Sequence, residues 1–313
     1  MDGVLHAVTC VKCGATAAQR PRSPTDEMAY LCVSCRAEVL AEPVVFPGHR
    51  IIRRLKEGGM GAVYLALNDE GQQVALKVIL PKVAMDKQAR VRFVREASIH
   101  RKLKHPRIVQ VYQVLQEIRP AIFLMSMEYV EGLDAHALLK QHGGRFEVAQ
   151  AVRLVTEALE GLHFAHAEGV VHRDIKPANL LVGQDGVKLA DFGLAKNYQA
   201  HCLTVTLPGD VGGTLDYLAP EQIRNFRDVT PPADIYSMGA LAYLFLTGGF
   251  PHEQKSPMKL IRSIQYDPIV PIAVRNPAVP RPLAEAVERA LEKDPARRYA
   301  TADDMRLALL AAV

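Results

Sequence analysis

Asp174 and Asp191, with Lys176 and Asn179 between them, are the residues of this chain whose types and spacing could do chemistry. They stand in two short segments, His172-Arg173-Asp174-Ile175-Lys176-Pro177-Ala178-Asn179 and Asp191-Phe192-Gly193. Moving a phosphoryl group from a nucleotide to a hydroxyl needs a carboxylate near the attacking oxygen. It also needs oxygen ligands that hold Mg²⁺ on the phosphates, and a cation that offsets charge on the oxygens in flight. The segments hold a candidate for each: Asp174 as base, Lys176 as cation, Asn179 and Asp191 as metal ligands.

These segments resemble the H-R-D-L-x-x-x-N and D-F-G signatures of protein kinases, with Ile175 in place of the Leu. Residues 49–313 as a whole resemble a bacterial eukaryotic-like (Hanks-type) Ser/Thr protein kinase. The resemblance implies an α+β, two-lobed fold with a small β-rich N-lobe and a large helical C-lobe. It further implies ATP in the cleft, Mg²⁺ or Mn²⁺ on its phosphates, and a protein hydroxyl as acceptor. Lys176, two residues after the base, follows the Ser/Thr-kinase habit, so the expected substrate is a protein Ser or Thr.

The elements that must position these groups are legible upstream. Lys56-Glu57-Gly58-Gly59-Met60-Gly61-Ala62-Val63 reads as a glycine-rich hairpin, and a further strand, not a helix, follows it. That order excludes a dinucleotide-binding turn. In the resemblance Gly58, Gly59, Gly61 and Val63 lie over the phosphates, and Lys56 departs from the pattern by replacing the first glycine. Val74-Ala75-Leu76-Lys77 resembles V-A-I-K, whose Lys pairs the phosphates. A helix is expected over 86–104, with Phe93, Glu96, His100 and Leu103 on one stripe; Glu96, its only acid, is the expected partner of Lys77. Strands are expected over 108–115 and 121–128. The resemblance places Met127 behind the adenine, makes Glu128-Tyr129-Val130 the hinge, and adds Ala75 and Leu181 to the nucleotide contacts. Asp134 is either a ribose contact or the N-cap of a helix over 135–141, and one residue can do both.

In the second lobe Val148, Val152, Val155, Leu159 and Leu162 recur at helical spacing, with Gly169 as a stop. His163 and His166 on that helix read as structural. Strands are expected at 180–182 and 187–190. The segment from Gly193 to Glu221 resembles an activation segment ending in Ala219-Pro220-Glu221. Thr204 and Thr206 lie in its middle as phosphorylation candidates, with Arg173 as the expected partner of the phosphate. Cys202 there reads as an inert thiol. Pro231-Pro232-Ala233-Asp234 opens an apolar helix, and Asp234 matches the Asp that anchors the catalytic-loop backbone in kinases. The remainder reads as helical, with breaks at Pro251, Pro257, Pro268 and Pro277–Pro282. Asp294-Pro295-Ala296-Arg297-Arg298-Tyr299 resembles the late kinase signature, and the resemblance implies that Arg298 pairs with Glu221.

The chain has 313 residues, 49% hydrophobic and 23% charged, with a net charge of +4. That is ordinary for a globular protein and does not argue for nucleic acid. The N-terminus lacks the pattern of a secretory signal, and the most apolar run, Ile235–Leu246, is too short to span a bilayer. A cytoplasmic protein is expected. Cys10, Cys13, Cys32 and Cys35 form two Cys-x-x-Cys pairs, and residues 14–31 between them fit the 15–20 spacing of zinc knuckles. Two knuckles give a closed tetrahedral site, structural rather than catalytic, and bound metal contributes roughly 10 kcal/mol to a segment with little core. The expected metal is Zn²⁺, with iron in a rubredoxin-like site as the alternative. A pair of disulfides is disfavoured in a cytosolic chain. The expected organisation is thus a zinc-ribbon-like Cys₄ domain over 1–42, a linker over 43–48 and a kinase domain over 49–313. By analogy such ribbons dock proteins; no nucleic-acid partner is expected.

Two rival readings follow from the same residues. A pseudokinase scaffold is motivated by Lys56 and opposed by the filling of every catalytic position. A zinc-ribbon nucleic-acid binder with a regulatory kinase domain would show salt-dependent binding through residues 1–40.

Overall fold

The computed structural model describes residues 6–9, 16–19, 45–46, 48–58, 61–79, 97–115, 123–192, 215–225, 228–253 and 256–313. The chain divides into two compact units. One is β-rich and takes in Met1–Arg101 and Gln110–Tyr129; the other is helical and takes in Lys102–Val109 and Val130–Val313.

In the β-rich unit β1 (His6–Thr9) and β2 (Thr16–Gln19) form an antiparallel hairpin. Cys10 and Cys13 fall in its connection, and all four knuckle cysteines lie outside the described residues. A six-stranded sheet follows, built from β3 (Val45–Phe46), β4 (His49–Gly58), β5 (Gly61–Asn68), β6 (Gln73–Ile79), β7 (Val111–Leu115) and β8 (Phe123–Glu128) in the order β3-β4-β5-β6-β8-β7. β6 sits between β5 and β8, which is why Val74, Ala75 and Leu76 are all buried although they alternate between the two faces. Ala66, Val74, Leu76 and Leu124 form the small core of one face. β4 carries two register shifts, between Ile51 and Arg53 and between Arg54 and Lys56, and such bulges sharpen the local twist.

Two expectations are corrected at the edge of this unit. The helix expected over 86–104 ends at His100, followed by a turn at Arg101-Lys102; residues 80–96, including Phe93 and Glu96, lie outside the described residues. Leu103 does not continue the stripe but is buried in the core of the helical unit. Burial there outweighs continuation of the helix, and Pro106 disfavours helical backbone at His105. Likewise the strand expected from Ile108 begins at Val111. Ile108 forms an isolated parallel bridge with Leu189 instead.

The helical unit opens with β9 (Gly132–Asp134) and α1 (Ala135–Gln141), then α2 (Val148–Ala167) and the hairpin β10 (Leu180–Gly183) with β11 (Gly186–Leu189). After it come α3 (Pro220–Arg224), α4 (Pro231–Thr247), α5 (Pro257–Tyr266), α6 (Ile272–Arg275), α7 (Arg281–Ala290) and α8 (Ala302–Leu310). Proline stands in the first turn of α3, α4, α5 and α7, where its missing N–H costs nothing. Pro257 and Pro282 therefore start helices as well as break the preceding chain. Every residue of α4 from Ala233 to Leu246 is buried, as expected for a helix apolar on all sides, and α2, α7 and α8 contribute to the same continuous core. Among the described residues no helix is long and apolar enough to cross a membrane.

Candidate active site

The loop from His172 to Asn179 is held by a buried carboxylate from elsewhere in the chain. Asp234, in the first turn of α4 and fully buried, accepts the His172 N–H through Oδ2 and the Arg173 N–H through Oδ1, both at 2.7 Å. Its Oδ2 also accepts from His166 Nε2 at 2.8 Å. A buried carboxylate with three donors is satisfied. Burial alone would raise the Asp234 carboxyl, but His166 and the Arg173 backbone donor outweigh it and hold the group below its ordinary range. Arg173 takes φ 70°, a left-handed backbone that needs such fixing.

His172 is itself fully buried. Its Nε2 donates to the Ala190 carbonyl at 3.0 Å and its Nδ1 accepts the Asp174 N–H at 3.3 Å. This donor-and-acceptor pattern belongs to the neutral imidazole, and burial pushes the His172 pKa down accordingly. The ring also packs on Phe192, centroids 4.4 Å apart. One histidine thus ties the Asp174 segment to the Asp191 segment.

Asp174 lies in a cluster of polar groups. Lys176 Nζ stands 2.8 Å from its Oδ2 and 3.1 Å from its Oδ1. Asn179 Nδ2 donates to the Asp174 carbonyl at 2.8 Å and to Oδ2 at 3.0 Å. Both side-chain bonds of Asn179 run through Nδ2, so Oδ1 has no donor among the described residues. The hairpin explains why Asn179 and Asp191 come together. β10 and β11 pair with Leu180 opposite Leu189, the Ala190 N–H donates to the Asn179 carbonyl at 2.9 Å, and Asp191 follows at φ 61°. Both candidate oxygen ligands therefore sit at one end of one hairpin.

β9 pairs with β10 so that Asp134 lies opposite Leu181. The Asp134 side chain accepts the Ala137 N–H at 2.8 Å as the N-cap of α1. In the β-rich unit Lys77 lies opposite Val63 on one side and Met125 on the other, and Ala75 lies opposite Leu65 and Met127. Directly opposed residues share a face, so Val63, Ala75, Lys77 and Met127 present their side chains on the same side of the sheet. β4 and β5 pair as far as Gly58 opposite Gly61. The Glu128 N–H donates to the Gln110 carbonyl at 2.8 Å.

Residues 49–307 match the family model of the protein kinase domain. The chain belongs to the protein kinase family.

Among curated relatives, serine/threonine-protein kinase PknJ of Mycobacterium tuberculosis is 36% identical over 286 residues, covering 88% of this chain and 47% of PknJ. Serine/threonine-protein kinase PknB of the same organism is 36% identical over 258 residues, covering 81% of this chain and 41% of PknB. The chain thus spans less than half the length of either relative. The solved kinase domain of PknI from Mycobacterium tuberculosis is similar in fold, with a TM-score of 0.67 and 28% identity over 87% of this chain and 98% of that one. The β-sheet lobe and the helical lobe described above are those of a bacterial Hanks-type Ser/Thr kinase domain.

Glu96, Gly59, Thr204, Thr206, Cys202 and the knuckle cysteines lie outside the described residues. Within the kinase domain, sequence reasoning missed three ties. His166 was read only as structural, and its partner proves to be the carboxylate under the catalytic loop. Asn179 was read as a metal ligand and also bonds Asp174. Gln222 Nε2 donates to the Arg173 carbonyl at 2.7 Å, joining α3 to that loop, and no sequence pattern marks it.

Proposed function

We propose that this chain is an ATP-dependent protein Ser/Thr kinase that transfers the γ-phosphoryl group to protein hydroxyls. The observation that carries the reading is the cluster of Asp174, Lys176 and Asn179 at the end of the hairpin that bears Asp191. In this reading Asp174 accepts the proton of the attacking hydroxyl. Lys176, already beside it, would offset charge on the transferring group. Lys77, paired with Glu96, orients the phosphates under Gly58, Gly59, Gly61 and Val63, while Ala75, Met127, Glu128, Val130, Leu181 and Asp134 receive the nucleoside.

The kinase family implies Mg²⁺ or Mn²⁺, and the residues fit it. Asn179 Oδ1 and the Asp191 carboxylate are hard oxygen donors of the kind Mg²⁺ takes, one or two from protein with phosphates completing the shell. The bound cation would neutralise charge on the phosphate oxygens.

Thr204 and Thr206 are the proposed sites of autophosphorylation in the activation segment, with Arg173 as the partner of the phosphate. Residues 1–42 are proposed as a Cys₄ zinc ribbon that docks a protein partner, followed by 43–48, whose Val45–Phe46 pairs with β4 at the edge of the sheet, and by the kinase domain at 49–313. Support for the metal is the knuckle spacing and the β1–β2 hairpin around the first Cys-x-x-Cys. Incubation with γ-labelled ATP and Mg²⁺, followed by peptide mapping, tests the function. Label on Ser or Thr, with Thr204 or Thr206 among the sites, is expected; no transfer to any protein hydroxyl would leave the pseudokinase reading.

A further inference from the structure

Asp191 holds a left-handed φ of 61°, which a non-glycine residue keeps only where its surroundings over-determine it. The strand β11 ends two residues earlier, at Leu189, and leads directly into Asp191. On one side β11 pairs with β10. On the other side it meets Lys102–Val109, a stretch that belongs to the helical unit although the sequence around it belongs to the β-rich one. The Leu189 N–H donates to the Arg107 carbonyl at 2.8 Å, and the Leu189 carbonyl accepts the Val109 N–H at 2.9 Å.

The side chain of Arg107 reaches the other end of the same strand. Nη1 donates to the Asp185 carbonyl in the hairpin turn at 2.6 Å and lies 3.2 Å from Glu157 Oε2. That same Glu157 oxygen accepts the Val187 N–H at 2.7 Å. Nε lies 3.5 Å from Glu160 Oε2. Arg153 also approaches Glu157, at 3.4 Å, but from an exposed position. Arg107 therefore grips β11 at both ends, through its backbone at Leu189 and through its guanidinium at Asp185 and, via Glu157, at Val187.

The packing around this grip is close, and at Gly161 it is backbone that stands in the way. A Cβ on Gly186, at φ 99°, would collide with Glu157 Oε2 and Arg107 Nη1, and one on Gly161 would come within 2.7 Å of the Arg107 carbonyl. Glu157, Glu160, Gly161 and Phe164 form one stripe of α2 at helical spacing. Phe164 completes the seat by stacking on His105, centroids 4.9 Å apart.

We propose that Arg107 is a positioning residue for Asp191: with its backbone bonded to Leu189, its guanidinium anchors the Asp185 end of β11 and so sets the course of the strand from which Asp191 reaches the metal on the nucleotide. The role rests on Asp191 being a metal ligand, as set out above. Removing a group bonded directly to a metal ligand costs about 10–100-fold in metal affinity, and Arg107, which acts through β11 two residues away, belongs at the low end. A residue that merely supported the fold would lower stability and leave that affinity in place.

The test uses the full chain and Mn²⁺ with ADP, read by electron paramagnetic resonance, beside turnover at saturating metal and thermal unfolding. Arg107→Met is expected to weaken Mn²⁺ binding about tenfold, with turnover at saturating Mn²⁺ lowered far less. Arg107→Lys keeps the charge without the two-armed reach and should fall between it and the unaltered chain. Wild-type Mn²⁺ affinity in both variants, with loss confined to melting temperature or turnover, would overturn the role of Arg107. Asp191→Asn separates the two claims: undiminished Mn²⁺ binding there would remove the ligand reading and the Arg107 role with it. Loss in Asp191→Asn with none in the Arg107 variants removes the second alone.

Discussion

Arg298 and Glu221 form a two-armed ion pair, Nη1 to Oε1 at 2.6 Å and Nη2 to Oε2 at 2.8 Å, with the Arg298 side chain wholly buried. The guanidinium also donates to the carbonyls of Pro232 and Glu292 and lies over the Tyr236 ring. It thereby joins the helix after the activation segment to the start of α4, where Asp234 holds the catalytic loop. Every donor on this buried cation that could be left bare has an acceptor, which is the condition under which such a pair is tolerated.

Removing one partner leaves the other without compensation. Arg298→Ala should destabilise the kinase domain by about 3–5 kcal/mol, nearer the lower figure because Glu221 is partly exposed and can recruit water. Denaturant unfolding followed by circular dichroism measures it. A loss below about 1 kcal/mol, the usual worth of a surface pair, would show that the pair contributes only surface-like stability.

Asp174→Asn tests the base. The amide is isosteric, and Lys176 and Asn179 retain an oxygen to bond, so the loop should keep its shape. Turnover should fall by about 10²–10⁴-fold, the usual contribution of a general base, with an unchanged melting curve. Near-wild-type phosphotransfer by this variant would reject the assignment of Asp174.

A pH dependence of stability follows from His252. It is buried, with Ser263 Oγ 3.2 Å from Nδ1 and Lys293 Nζ 2.8 Å from Nε2. Burial first, and the Lys293 ammonium second, push its pKa from 6.5 down to about 4. Between those values the unfolded chain binds a proton that the folded chain refuses, so stability is lost as pH falls through that window. Above pH 6.5 the group contributes no slope. His252→Gln should flatten the fall in melting temperature between pH 6.5 and 4.5; an identical fall in the variant would place the dependence on other groups.

Zinc is checked by elemental analysis of the purified full chain. One zinc per chain is expected, lost in Cys32→Ser, because a structural site of this kind needs all four thiolates. Iron in place of zinc would favour the rubredoxin-like alternative, and a metal-free chain with an ordered N-terminus would end the Cys₄ reading.

The sequence by itself determined what is local. The V-A-I-K resemblance placed the strand carrying Lys77, period and stop signals placed α2, and the Asp134 cap placed α1 at Ala135–Gln141. The candidate residues for phosphoryl transfer were named from their types and from spacings that resemble the kinase signatures. Tertiary structure decided the rest. The helix after Lys77 stops at His100 because Leu103 is buried in another core. Ile108 leaves its strand to meet Leu189. His166 and Asp234 are 68 positions apart, and nothing near either one in the chain names its partner. A hydrogen bond between distant segments depends on which backbone groups the packed core brings within about 3 Å, and sequence pattern encodes the periodicity of each segment but not that meeting.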